Sequence, residues 1–214
     1  MRRWFIHFGA LVLALGSAAL RADAQQGRFE LTPTIGYRLN SDINETDVAK
    51  YSQLQFADAA TFGLTASWNT SAFTSVEIEY TYSGYDATAV PRSAATAQRT
   101  VKVGQHNVLF SGLYLFDTGN DKFQPFILGG VGASILAPDG SLDSVTNFAF
   151  TIGGGVKYYA SDRIGLRGDI RWMPQYLYST DGGTWCDPTY GCYYYPNDHF
   201  ISQWDFKLGV IVRF

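Results

Sequence analysis

The chain alternates apolar and polar residues with a period of two along eight segments, and this pattern constrains the fold more than any other feature. In the first segment Phe29, Leu31 and Ile35 share one face, while Glu30 and Arg38 share the other. Such alternation places successive side chains on opposite faces of a β-strand. Seven further segments begin near residues 61, 75, 108, 123, 148, 164 and 203, those at 108 and 123 with a weaker alternation. We therefore predict eight strands.

All charged residues within these segments lie on the face opposite the aromatic and aliphatic side chains. The acids are Glu30, Glu77, Glu79, Asp169 and Asp205, and the bases are Arg38, Lys157, Arg167, Arg171, Lys207 and Arg213. A lipid-facing charge near the bilayer midplane costs roughly 2–4 kcal/mol. The charged face is also rich in Gly, Ser and Thr, which suit the narrow interior of an eight-stranded barrel. The pattern predicts an all-β fold, an eight-stranded antiparallel transmembrane β-barrel with ion pairs inside.

The connections between the segments alternate in length. Three are short turns, at residues 69–72, 117–122 and 160–163, and four are longer loops, at residues 40–57, 84–102, 136–146 and 175–198. Eight antiparallel strands produce this alternation when both chain ends lie on the side of the short turns. In that orientation the outward aromatic rings gather at two heights, as in the aromatic girdles of a membrane barrel.

Residues 1–24 have the features of a secretory signal peptide. Arg2 and Arg3 precede an apolar run at residues 4–20, and small residues Ala22 and Ala24 follow it. We expect cleavage before residue 25, which leaves residues 25–214 as the barrel domain. The alternative is an uncleaved N-terminal membrane helix, which the short apolar run disfavours.

Composition excludes several other classes of protein. Lys and Arg together number 16 and Asp and Glu 19, so the basic surface typical of a nucleic-acid-binding protein is missing and no nucleic-acid partner is expected. Beyond residue 24 no apolar stretch approaches the roughly 20 residues that a membrane helix needs. An exported chain of this kind is either soluble or a closed barrel, because open sheet edges cannot face lipid.

Four stretches of the chain carry a family resemblance, at residues 123–132, 151–158, 166–171 and 204–214. They resemble the small eight-stranded outer membrane protein β-barrel family, which includes the OmpA transmembrane domain and OmpX, and the resemblance extends over essentially all of the predicted mature chain. It implies insertion into the outer membrane of a Gram-negative bacterium, with membrane lipid as a partner. It also implies that the terminal Phe214 is a signal for the barrel-assembly machinery.

Cys186 and Cys192 lie in the longest predicted loop and bracket five residues. Outside the cytosol oxidation is allowed, so we expect a disulfide; a metal site with Asp198 and His199 is the alternative. The adjacent run of tyrosines, residues 193–195, either forms a recognition patch for an extracellular ligand or packs over the barrel mouth. No motif predicts a cofactor.

Catalysis is not expected from the histidines of the mature chain. His106 and His199 are the two present, and neither reproduces the His-x-Ser arrangement of lipid A deacylase-type barrels. A nucleophile needs a base within reach, and Ser111 and Ser202 fall on the wrong faces for these histidines by strand parity. Arg167-Gly168-Asp169 spells an integrin-type tripeptide, but its charges are predicted to face the interior.

The sequence favours a non-enzymatic outer-membrane barrel that supports envelope integrity and presents surface loops. A narrow channel for ions or small solutes and a surface adhesion protein are the alternatives. In the channel, exchange of ion-pair partners opens a water path, whereas in the structural barrel the pairs form a closed core.

Overall fold

The computed structural model describes residues 29–42, 51–120, 122–140, 144–177, 185–187, 191–193 and 199–214. Its strands in chain order are β1 (Phe29–Asn40), β2 (Tyr51–Phe56), β3 (Ala59–Asn69), β4 (Thr74–Pro91), β5 (Arg99–Leu115), β6 (Phe123–Pro138), β7 (Val145–Tyr159), β8 (Ile164–Leu177), β9 (Trp185–Asp187), β10 (Gly191–Tyr193) and β11 (His199–Arg213). Among these described residues no helix is long and apolar enough to cross a membrane.

Eight of the strands form a closed antiparallel barrel, which confirms the predicted fold class. The order around the barrel is β1, β3, β4, β5, β6, β7, β8 and β11, and β11 pairs with β1 to close it. The three short turns, the start of β1 and the end of β11 lie at one end of the barrel, which we call the turn end. The opposite end is the loop end.

Several barrel strands extend into segments that the sequence pattern assigned to loops. β4 runs to Pro91 and β5 starts at Arg99, so most of residues 84–102 is strand. The alternation there uses small residues such as Ala87 and Ala89, which bury well but carry a weak hydrophobic signal. β6 and β7 shorten the loop at 136–146 in the same way.

Two predicted loops contain strands of their own. β2 lies within residues 40–57 and pairs with the loop end of β4, where Phe56 is opposite Ala87. β9 and β10 form a separate hairpin within residues 175–198. Neither region shows a long period-two pattern, since β2 has six residues and the hairpin strands have three each.

The barrel is apolar outside and polar inside, as the charge pattern indicates. Large apolar side chains are exposed on every barrel strand, for example Ile35, Leu64 and Leu208. Buried side chains inside include Thr65 and Gln175 as well as the charged residues. Exposed apolar surface of this extent on all sides is suited to lipid.

The interior also contains apolar side chains that a purely ionic core would lack. Leu113, Leu115, Phe126 and Leu128 form a buried cluster near the turn end. Leu113 and Leu115 explain the weak alternation of the segment near residue 108, because they make its inner face apolar as well as its outer face. Phe126 fits inside because its neighbour across the strands is Gly155.

Candidate functional site

The interior charges, which we call the ionic core, form one connected group and one separate pair. The connected group is Glu30, Glu77, Glu79, Lys157, Arg167, Asp169, Arg171, Lys207 and Arg213, and the separate pair is Arg38 and Asp205. At the turn end of the connected group Glu30 accepts hydrogen bonds from Lys157 Nζ at 2.8 Å and from the Tyr159 hydroxyl at 2.8 Å. Arg213 also donates to Glu30, at 3.0 Å, and stacks over the Tyr159 ring at 3.8 Å. The Arg213 side chain is 22% exposed, so the Glu30 carboxylate that it contacts lies just inside the turn end of the barrel.

The middle of the ionic core arranges two carboxylates, Asp169 and Glu79, among three bases. Asp169 accepts from Arg167 Nε at 2.8 Å and from Arg171 Nε at 2.6 Å. Glu79 lies 3.0 Å from Arg171 and 2.6 Å from Lys207. These groups come from β4, β8 and β11, so the ion pairs cross the lumen and tie opposite walls of the barrel together.

Glu77 links the middle group to the turn end. It accepts from both terminal nitrogens of Arg167, and its Oε1 lies 3.9 Å from Lys157 Nζ. Since Lys157 also binds Glu30, the contacts run without a break from the mouth to the centre of the barrel.

Nearer the loop end, Arg38 and Asp205 form a paired contact with two hydrogen bonds. Arg38 Nε donates to Asp205 Oδ1 at 2.6 Å, and Arg38 Nη2 donates to Oδ2 at 2.8 Å. The remaining guanidinium nitrogen, Nη1, donates to Ser83 Oγ at 3.0 Å. The two residues are direct cross-strand partners on β1 and β11, so the barrel closure itself brings them together.

The buried charges balance. Apart from the partly exposed Arg213, the ionic core holds five carboxylates and five bases, and each of these residues is at most 5% exposed. Removing such charges from water is costly unless they are paired and hydrogen-bonded. Glycines on the neighbouring strands leave room inside the lumen for these charged side chains. Gly36 is paired with Lys207, and Gly155 is paired with Asp169.

A layer of buried amides covers the ionic core on its loop side. Gln105 and Gln203 exchange two hydrogen bonds of 3.0 Å, and Gln175 donates to Gln203. The Tyr85 hydroxyl donates to Gln105 at 2.9 Å. Strand parity places all three glutamines on the inner face, but their neutral side chains give no charge signal, so this amide layer was not predicted from the sequence.

An apolar cap closes the barrel above the amide layer. Its members are Leu54, Phe56, Ala59, Tyr85, Ala87, Ala89, Val103 and Leu136. β2 supplies Leu54 and Phe56, and the Phe56 ring meets the Tyr85 ring edge-on at 6.0 Å. Six of its eight members lie in segments predicted as loops, so the sequence pattern did not reveal the cap.

The other predicted site residues are placed as follows. Cys186 and Cys192 are opposite each other in the β9–β10 backbone pairing, but their side chains and those of the tyrosine run lie outside the described residues. Within the described part of the chain, no three side chains of the metal-binding types form a group. Arg167 and Asp169 of the integrin-type tripeptide are buried.

Phe214 and His106 both lie on the outer face. The amide of Phe214 donates to the carbonyl of Phe29 at 2.9 Å, and the two rings are 6.1 Å apart, so the last residue seals the β1–β11 seam at the turn end. His106 Nδ1 is 2.8 Å from the Tyr80 hydroxyl, and its ring lies 5.0 Å from Tyr82. The side chain of His199 is outside the described set.

Comparisons with known proteins found a partial sequence relative and several similar structures. A segment of 68 residues, 30% of this chain, is 29% identical to lipid A deacylase PagL of Pseudomonas aeruginosa strain PAO1 and spans 39% of that protein. The structure resembles Neisserial surface protein A, with a TM-score of 0.58 and 13% identity over 87% of this chain and 97% of that one. It is also similar to outer membrane protein W of E. coli, with a TM-score of 0.49 and 12% identity over 89% and 100% of the two chains.

The family assignment rests on a match to nearly the whole chain. The family model described as outer membrane protein beta-barrel domain matches residues 8–214. Together with the closed barrel and its apolar exterior, this match shows that the chain belongs to the outer membrane protein β-barrel family and resides in the outer membrane of a Gram-negative bacterium.

Proposed function

We propose that this protein is a sealed structural barrel of the outer membrane that supports the envelope and presents its loops at the cell surface. The observation that carries this proposal is the filled interior, in which the ionic core, the amide layer and the apolar cap follow one another along the barrel axis. Neither catalysis nor transport is part of this role.

Ions could pass through the barrel only if contacts in each of the three layers were broken. A path would require breaking the bidentate Arg38–Asp205 contact and the Gln105–Gln203 pair, and then moving the buried Phe56. Breaking buried charge pairs is unfavourable unless new partners are supplied. The arrangement therefore favours a closed state over a narrow channel.

The first prediction is that the protein does not conduct. We expect planar bilayers containing the folded full chain to show no discrete current steps at 100 mV, because buried side chains of the ionic core, the amide layer and the apolar cap fill the interior of the described barrel. Insertion is verified separately by the faster gel migration of the unboiled barrel. Reproducible current steps of uniform size would contradict this expectation. If Arg38→Ala changed the size of these steps, the current would pass through this lumen, and the channel would be supported.

The loop end is the surface from which loops extend into the medium, since membrane barrels of this class place their longer loops outside the cell. The β9–β10 hairpin, which lies within the predicted loop 175–198, has a described backbone pairing of its own. Cα atoms of opposed residues in antiparallel strands are about 4.5–5.5 Å apart, within the range that a disulfide spans. We propose that a Cys186–Cys192 disulfide closes this hairpin and that the assembly machinery reads Phe214.

Lipid A deacylation is the second candidate, favoured by the partial match to PagL. The residue to examine is His106, which lies on the outer face at the level of Tyr80 and Tyr82. Its Nδ1 is engaged by a tyrosine, and no serine hydroxyl is among its contacts within the described residues. This environment lacks the nucleophile that a histidine base would activate.

We therefore expect His106→Ala to leave the lipid A of expressing cells unchanged. Lipid A from cells carrying the wild-type chain, His106→Ala, the neighbouring outward variant Val108→Ala or no chain is compared by mass spectrometry, and all four profiles should coincide. Lipid A that lacks an acyl chain in cells with the wild type and with Val108→Ala, but not in cells with His106→Ala, would show catalysis and would overturn the proposed structural role.

A further inference from the structure

A groove of about 630 Å³ lies on the outer face of β4, β5 and β6 near the loop end. Its floor is the cross-strand pair Gly84 and Gly104, which have no side chain to fill it. The Tyr82 ring leans over this pair: a Cβ at Gly84 would lie 3.3 Å from the Tyr82 hydroxyl, and one at Gly104 would lie 3.5 Å from Tyr82 Cε2. The ring therefore lies along the groove floor, and Tyr82 is 41% exposed.

Polar side chains border this Tyr82 groove on its loop side. Asp86 and Lys102 are direct cross-strand partners, one row beyond the glycine pair, and both are exposed. Asp58 and Asp139 complete the border. Within the described part of the chain, the side chains of Asp86, Lys102 and Asp139 make no hydrogen bond or ion pair.

The groove lies where the apolar exterior of the barrel ends. Below it the outward residues of β4 are Val76, Ile78 and Tyr80, all exposed and apolar or aromatic. Above it the outward residue is Asp86. Outward charges cost little near the membrane interface but much at its centre, so this change marks the headgroup level of the outer leaflet.

We propose that the Tyr82 groove binds a sugar ring in the headgroup of an outer-leaflet glycolipid. An aromatic ring offers a flat apolar surface to the C–H face of a sugar, while carboxylates accept hydrogen bonds from its hydroxyls and an ammonium donates. Three aspartates against one lysine make the border net negative, which disfavours a phosphate as the bound group.

The position of the groove indicates that the sugar belongs to a membrane glycolipid rather than to a soluble glycan. It opens sideways from the barrel wall, directly above the lipid-facing surface, so a glycolipid whose acyl chains lie along Val108 and Phe110 brings its headgroup to Tyr82. A soluble glycan would have no such guidance and would bind less tightly because it lacks the acyl-chain contacts.

The test is binding of purified lipid A to the folded full chain in detergent micelles, measured by native mass spectrometry with phosphatidylglycerol as the reference lipid. We expect Tyr82→Ala to weaken lipid A binding roughly tenfold, Asp86→Asn to weaken it several-fold, and Tyr82→Phe to retain it. The matched control is Tyr114→Ala, which removes an equally exposed outward tyrosine near the turn end and should bind as the wild type does.

Further arms identify the bound chemistry. Dephosphorylated lipid A should bind at least as tightly as the bisphosphorylated form, and the fully deacylated oligosaccharide of lipid A, which keeps the same sugars without the acyl chains, should bind at least tenfold more weakly. Loss of binding on dephosphorylation would overturn the sugar in favour of a phosphate, and equal affinity for the oligosaccharide would overturn the membrane source. Equal affinities of Tyr82→Ala and Tyr114→Ala would overturn the site itself.

Discussion

Replacing Asp205 by alanine is expected to lower the free energy of unfolding by about 3–5 kcal/mol, the cost of leaving a buried charge without its partner. Asp205 supplies both oxygens that bind the Arg38 guanidinium, at 2.6 and 2.8 Å, and the two residues are 2% and 0% exposed. Ser83, which accepts a hydrogen bond from Arg38 Nη1, is neutral and cannot replace the carboxylate of Asp205. Urea unfolding in phospholipid vesicles, followed by tryptophan fluorescence, measures the change.

The double variant Arg38→Met with Asp205→Leu separates charge from packing. It removes both charges and keeps most of the volume, so its stability should return close to that of the wild type. The control for loss of an aspartate as such is Asp162→Ala, in an exposed turn between β7 and β8, where we expect no measurable change. If the double variant is as unstable as Asp205→Ala, unpaired charge is not the cause.

Gly155→Ala is expected to cost about 3 kcal/mol, the upper end of what overpacking a core usually costs. An added Cβ would lie 2.2 Å from the Gly168 carbonyl oxygen and 2.6 Å from Asp169 Cβ, and backbone on the neighbouring strand cannot move aside without disturbing the ladder. Asp169 would also be pushed away from its two arginine partners. The fraction of chain that migrates fast on an unboiled gel, together with the urea midpoint, reports the loss.

The control is an outward glycine on the same side of the barrel. At Gly112 an added Cβ would meet no heavy atom within 4 Å, since the site faces lipid. Gly112→Ala should be neutral or stabilising by up to about 1 kcal/mol, because alanine restricts the unfolded chain. Equal losses for the two variants would mean that general strand propensity, rather than the opposing ion pair, requires glycine at residue 155.

Residue parity placed the charges on one face of the strands, and the small residues on that face together with the alternating connection lengths predicted a barrel with those charges inside. Alternation is a local property, because each residue in a strand points opposite to its neighbours whatever the strand pairs with. Hence Glu77, Arg167 and Asp205 could be assigned to one face before any pairing was known. The same reasoning failed in residues 84–102, where small and polar side chains on both faces hid the extension of β4 and β5.

Which charges meet was decided only by the tertiary structure. Arg38 and Asp205 are 167 residues apart, and Glu30 and Lys157 are 127 apart, so no local pattern relates them. Their contact depends on the register in which β11 closes on β1 and on the glycines that let long side chains cross the lumen. The apolar cap and the Tyr82 groove also depend on pairing between distant strands. The sequence by itself therefore determined which faces are polar and apolar, whereas the closed barrel decided the partners, since register is a property of the whole sheet.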